Sequence, residues 1–203
     1  MFRKITASLF IGLILTTLFA TYRSALAADS LSDGVLRLHI LAASDSPEDQ
    51  ARKEKVRDAV LAYGKDLFGA PSDKEAAAET VARHLDELEQ LAEETLRREG
   101  DDSPVHAEIT RCYFPTKEYD NGLRLPAGYY DALRLTIGEG KGRNWWCILY
   151  PPLCFGGSVE ESEDALQSAV GSDSELATGE SEEIRVGFKL AEWWGEFLRW
   201  LRG

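Results

Sequence analysis

The chain has 203 residues, with 35 Asp and Glu against 23 Lys and Arg and a formal net charge of -12. Nucleic-acid binding requires clustered cations that displace counterions, so this acid excess excludes nucleic acid as a partner class, and it disfavours simple attraction to anionic lipid. The length suits one domain of ordinary size, large enough to bury a real core.

Arg3 and Lys4 precede an uncharged run over residues 5–20, and Ala25-Leu26-Ala27 supplies the small-x-small pattern that signal peptidase reads. Residues 1–27 therefore read as a secretory signal peptide, cleaved between Ala27 and Ala28. The rival is an uncleaved anchor, but the run includes three threonines and a serine. It also falls short of the roughly 20 apolar residues that a spanning helix needs. Cleavage removes Arg3, Lys4 and Arg23 and no acid, which takes the net charge from -12 to -15.

The expected secreted domain covers residues 28–155. Residues 35–43 read as a strand, with Leu36, Leu38 and Ile40 alternating against Arg37 and His39. Ser46 is a good N-cap, Pro47 fits the first helical position, and Glu48 and Asp49 favour the helix dipole, so a helix is expected to about Phe68. Its buried side is drawn through Ala51, the Lys55 stem, Val56, Ala59, Val60, Tyr63 and Leu67, with Lys53 among the outward residues. Ser72 and Glu75 form a capping box for a second helix, whose stripe of Ala77, Val81, Leu85, Leu88, Leu91 or Ala92, and Leu96 runs to a stop at Gly100. Residues 105–114, 130–137 and 145–150 are further strands, linked through an Asp120-Asn121-Gly122 turn and Pro126-Ala127-Gly128. The order β-α-α-β-β-β, with a last trio able to meander, predicts an α+β domain: a small, mainly antiparallel sheet packed by two helices.

The most constrained stretch is residues 138–155, which holds three spaced glycines, Trp145-Trp146, Pro151-Pro152 and two of the three cysteines. Gly138, Gly140 and Gly142 mark a turn suited to positive φ, and the prolines end the strand that follows. Cys154 is thereby swung back toward Cys147. A bridge between them would close an eight-residue loop, stabilising by about 2–3 kcal/mol in the chain-entropy model. The alternative is two small buried hydrophobes, and Cα spacing decides between them. Cys112, in mid-strand, reads as a buried thiol. Trp145, Trp146, Pro151 and Pro152 form a rigid aromatic knob, a candidate partner-binding surface; alternation sends the two tryptophans to opposite faces, so at least one is expected in the core.

Residues 156–183 shift to Gly, Ser, Glu, Asp and Ala and read as an acidic flexible linker. Residues 184–203 then form an amphipathic C-terminal helix, with Phe188, Trp193, Trp194, Phe197 and Trp200 on a broad apolar stripe suited to a partner protein or a membrane surface.

Catalytic material is sparse. His39, His84 and His106 stand outside any HExxH or CxxC pattern, so neither a metal site nor any cofactor is expected. A Cys147 or Cys154 pairing with His39 has no local signature. The glycines at 138, 140 and 142 lack the Lys-Ser/Thr of a phosphate loop.

The run Arg37-Leu-His-Ile-Leu-Ala-Ala-Ser-Asp-Ser-Pro-Glu-Asp-Gln50, followed by Lys55-Val-Arg-Asp-Ala-Val60, resembles the opening of stage II sporulation protein R of endospore-forming bacteria. Tyr113-Phe-Pro-Thr-Lys117, Leu125-Pro-Ala-Gly128, Gly138-Glu-Gly-Lys-Gly142, Asn144-Trp-Trp-Cys147 and Pro151-Pro-Leu-Cys-Phe155 continue the resemblance in the same order, over nearly all of residues 35–155. The resemblance implies a signal made in the forespore and secreted between the two septal membranes. There it would activate a membrane-embedded aspartic protease, which processes the precursor of the mother-cell sigma factor E. It implies an activating ligand, not an enzyme, and carries over no catalytic residue. Two other readings remain: a secreted or cell-wall hydrolase, requiring His39, Asp45 and Arg57 to converge in one pocket, and a structural septal or membrane-associated protein acting through its C-terminal helix.

Overall fold

The computed structural model describes residues 2–68, 71–119, 123–155 and 159–174. The expected C-terminal helix, with Phe188, Trp193, Trp194, Phe197 and Trp200, lies outside these residues, as does the Asp120-Asn121-Gly122 turn. Helix α1 (Phe2–Gly34) runs through the expected signal peptide and past Ala27 and Ala28 without a break. Its Phe10–Gly34 segment is long and apolar enough to cross a membrane, a test that a signal sequence near the N-terminus passes equally. Ile11, Ile14, Leu15, Leu18 and Phe19 are exposed, whereas Leu31 and Val35 at its end are fully buried.

Strand β1 (Leu36–Leu41) is followed by α2 (Pro47–Phe68), α3 (Lys74–Arg83) and α4 (Leu85–Arg98). Helix α2 starts where its sequence dictates: Ser46 Oγ accepts from Asp49 N at 3.1 Å, and Ser44 Oγ donates to the Asp49 carboxylate at 2.5 Å. The Ser44 bond, foremost, holds the Asp49 carboxyl below its ordinary range. On this helix Val56 and Val60 are buried as expected, but Ala51 and Lys55 are exposed and Lys53 is buried in their place. Its ammonium is satisfied by Gln50 Oε1 at 2.7 Å and the Arg143 carbonyl at 3.1 Å, which allows the stem to be covered.

The second helical region differs from the single expected helix. Its cap is Asp73, one residue later than Ser72, accepting from Ala76 N at 2.8 Å. The chain breaks at His84, which ends α3 and begins α4. Both halves keep the expected stripe, burying Ala77, Val81, Leu88, Ala92 and Leu96. Gly100 at φ 74° closes α4 in a Schellman arrangement, with Gly100 N to Arg97 O at 3.1 Å and Asp101 N to Leu96 O at 3.0 Å.

Strands β2 (Val105–Phe114), β3 (Lys117–Glu118), β4 (Arg124–Leu125), β5 (Gly128–Ile137) and β6 (Asn144–Tyr150) follow. The main sheet has the order β2-β5-β1-β6, while β3 and β4 pair separately. The class is α+β, as expected, and the sheet is mixed: β2 and β6 run antiparallel to their neighbours, and β1 runs parallel to β5. The last three strands do not form a simple meander, because β1 is inserted between β5 and β6. The connection from β5 must therefore cross the end of β1, and the glycines make this crossing. Gly138 and Gly140 take φ of 56° and 61°. Gly142 needs closeness instead of positive φ: a Cβ there would lie 2.1 Å from the Ser44 carbonyl oxygen.

The expected linker is corrected over part of its length, since Val159–Val170 is helix α5 and Gly171–Ser174 a 3-10 turn. Composition marked this stretch as solvated, yet Leu166 is fully buried and Val170 packs beside it. Helices α2, α3 and α4 cover one face of the sheet over Leu36, Leu38, Ile40, Leu133, Leu135 and Leu149. The end of α1, the β3–β4 pair and α5 bring Leu31, Leu123, Leu125 and Leu166 to the other.

Candidate functional site

Alternation puts Arg37 and His39 of β1, Tyr130, Ala132 and Arg134 of β5, Cys112 of β2, and Asn144 and Trp146 of β6 on the sheet face away from α2–α4. Arg37 is fully buried and His39 is 8% exposed, so this face is an interior polar cluster. The Arg37 guanidinium carbon sits 4.0 Å from the centroid of the Phe114 ring and 4.9 Å from that of Tyr130, and Nη2 donates to the Tyr119 hydroxyl at 2.6 Å. Ring contact of this kind compensates part of the cost of burying a cation. Arg37 Nε and Nη1 and the Trp146 indole Nε1 are nevertheless buried without a hydrogen-bond partner among the described residues. Burial raises the pKa values of both Tyr119 and Tyr130, keeping these phenols neutral against the pull of Arg37.

Beside this cation, His39 Nε2 lies 2.9 Å from Asn144 Oδ1, and His39 Nδ1 lies 3.9 Å from Cys112 Sγ. Cys112 and His39 belong to strands separated by β5, and the small Ala132, paired with Arg37 on one side and Thr110 on the other, leaves the space over which they meet. The Phe114 and Trp146 rings stand 5.5 and 6.1 Å from the imidazole. Burial, the largest influence, depresses the His39 pKa, and the Asn144 hydrogen bond opposes it. Burial also raises the Cys112 thiol pKa, against the cations Arg134 and Arg37. Thiol and imidazole thus rest as a neutral pair.

The expected knob is divided between the two faces. Trp145 packs on the helix-covered core with Arg57 5.4 Å from its ring centroid, while Trp146 packs with His39 and Phe114 behind the sheet. Pro151 is buried after a cis Tyr150-Pro151 bond, and Pro152 is half-buried. Cys147 and Cys154 form a disulfide across a Cα separation of 5.7 Å, so neither is free to pair with His39. The cysteine at the imidazole is Cys112, the free thiol. Sequence reasoning passed over it because its partner is 73 positions away.

The pocket proposed for a hydrolase does not assemble. Asp45 Oδ1 accepts from Arg143 N at 2.7 Å at an exposed turn, and Arg57 is on the opposite face from His39. Among the described residues no group of His, Cys, Asp and Glu could hold a metal ion.

Fold and site together define a small α+β domain with a disulfide-clipped edge, an apolar N-terminal helix and a buried polar cluster on one sheet face. The family Spore_II_R, stage II sporulation protein R, matches residues 32–160. The chain belongs to this family. It is 36% identical over 186 residues to stage II sporulation protein R of Bacillus subtilis strain 168, covering 80% of this chain and 81% of that protein. No solved structure matches it.

Proposed function

We propose that this sporulation signalling protein is exported after cleavage between Ala27 and Ala28 and acts in the intermembrane space of the septum. There it activates a membrane-embedded aspartic protease that processes the precursor of the mother-cell sigma factor E, serving as its ligand and not as the protease. The observation that carries this reading is the family match over residues 32–160. An exposed apolar N-terminal segment ahead of a buried domain boundary at Leu31 and an extracellular-type disulfide support export. In this reading the half-exposed edge around Trp145 and Pro152, held by the Cys147–Cys154 clip, forms part of the protease contact, and the 184–203 segment adds a protein or membrane contact.

The test is reconstitution of the candidate protease in a host that supplies its sigma precursor, with and without the chain exported beside it. Precursor cleavage is expected only when both proteins are present. Cleavage of equal extent without the chain, or none with both, would overturn the reading. Mass spectrometry of the exported material should give a terminus at Ala28; an intact Met1 would refute cleavage.

A further inference from the structure

The arrangement Cys112 Sγ···His39 Nδ1 at 3.9 Å and His39 Nε2···Asn144 Oδ1 at 2.9 Å has the order of roles found in Cys-His-Asn hydrolases. With the Asn144 carbonyl oxygen facing Nε2, that nitrogen carries the imidazole proton, which leaves Nδ1 bare toward the thiol. This is the tautomer that a general base beside a cysteine requires. The three residues lie on three strands of one sheet, so the scaffold holds them rigidly. Cys112 is half-buried and unbridged.

We propose that Cys112, His39 and Asn144 form a nucleophilic thiol site that takes an acyl group from a small ester or peptide carbonyl. The Cys112 sulfur attacks the carbonyl carbon as His39 Nδ1 removes the thiol proton. The carbon–oxygen or carbon–nitrogen bond then breaks, and the proton on Nδ1 passes to the departing alcohol or amine. The product is a thioester on Cys112. Water, deprotonated by the same imidazole, hydrolyses it, releasing the acid and restoring the thiol. Asn144 is a positioning residue: it fixes the ring and its tautomer and does not touch the substrate. The neutral resting state of the pair means that proton transfer accompanies attack and does not precede it.

The test uses the full chain, reduced only to the extent that the Cys147–Cys154 bridge survives, with p-nitrophenyl acetate as the acyl donor. A burst of one p-nitrophenolate per chain is expected, with the acetyl group located on Cys112 by peptide mapping. Cys112→Ser should abolish it. His39→Gln should slow acylation about 100-fold, and Asn144→Ala about 10-fold, while Asn144→Asp, which can still accept from Nε2, should retain most of the rate. Variants are compared at equal folded fraction by thermal melting, and Asn144, being exposed at the start of β6, serves where His39→Gln fails to fold. An acetyl group found on residues other than Cys112, or an unchanged acylation rate in folded Asn144→Ala, overturns the proposal. Protease activation by Cys112→Ser is read in parallel, so loss of the thiol chemistry and failure of the signalling reading register separately.

Discussion

The two faces of the sheet are built from the same strands and follow opposite rules. On the α2–α4 face, β1 presents Leu36, Leu38 and Ile40 to a continuous apolar core. On the other face the same strand presents Arg37 and His39, also buried, with a cation that has no carboxylate partner among the described residues and an imidazole held by Asn144. Apolar burial is non-directional and stabilises in proportion to area. Burying donors without acceptors costs free energy, so the second face is one that folding by itself would not select. The first face is apolar throughout, and the second joins a buried polar cluster to apolar residues of its own, Leu31, Leu125 and Leu166 among them.

The largest expected effect lies on the apolar face. Leu38→Ala, at a fully buried position in mid-sheet, should lose about 2–5 kcal/mol; a denaturant midpoint unchanged at constant m-value would show that this face is not the core. Opening the clip by replacing Cys147 and Cys154 with serine should cost about 2–3 kcal/mol, since the sequence separation of 7 closes a short loop, and thermal melting of the oxidised parent against the double variant measures it. Gly142→Ala drives a methyl against the Ser44 carbonyl where the β5–β6 connection crosses β1, and about 1–3 kcal/mol of destabilisation is expected.

The polar face should behave otherwise. Arg37→Met keeps much of the side-chain volume and removes a buried charge that has no anionic partner among the described residues, so stability should hold or rise. A loss comparable to that of Leu38→Ala would show that the cation is compensated after all and would erase the contrast between the faces. The smallest effect is pH dependence. His39 has a folded pKa below its ordinary value, so the unfolded chain binds the extra proton first as pH falls. Its contribution is present above the unfolded pKa of about 6.5 and is lost as pH drops through that value toward the folded one. Melting temperature should therefore fall between pH 7.5 and 5, above the range in which Asp49 titrates, and His39→Gln should flatten the change.

Local patterns were legible in the chain because their causes are local. The Ser46-Pro47 start of α2, the Gly100 stop, the alternation of β1, the end of β6 before Pro151 and the positive-φ glycines at 138 and 140 all depend on residues within a few positions. The broken helix at His84 and helix α5 were missed for different reasons: the first stripe continues across its break, and the second lies in acidic composition, although Leu166 and Val170 at helical spacing were a signal. The family resemblance was readable because it rests on motif order alone, and the match over residues 32–160 bears it out.

The sequence by itself determined which residues alternate, where α2 begins and where α4 ends; it left the Cys147–Cys154 bridge open, and the Cα separation of 5.7 Å decided it. Only the tertiary structure decided that β1 sits between β5 and β6, because strand pairing at a separation of about a hundred residues is set by how whole faces pack and not by neighbours in the chain. That placement brings Asn144 to His39, and Ala132 of the intervening β5 leaves space for Cys112 to reach it. Three residues with no common local motif became one site because a sheet converts distant sequence into adjacent strands.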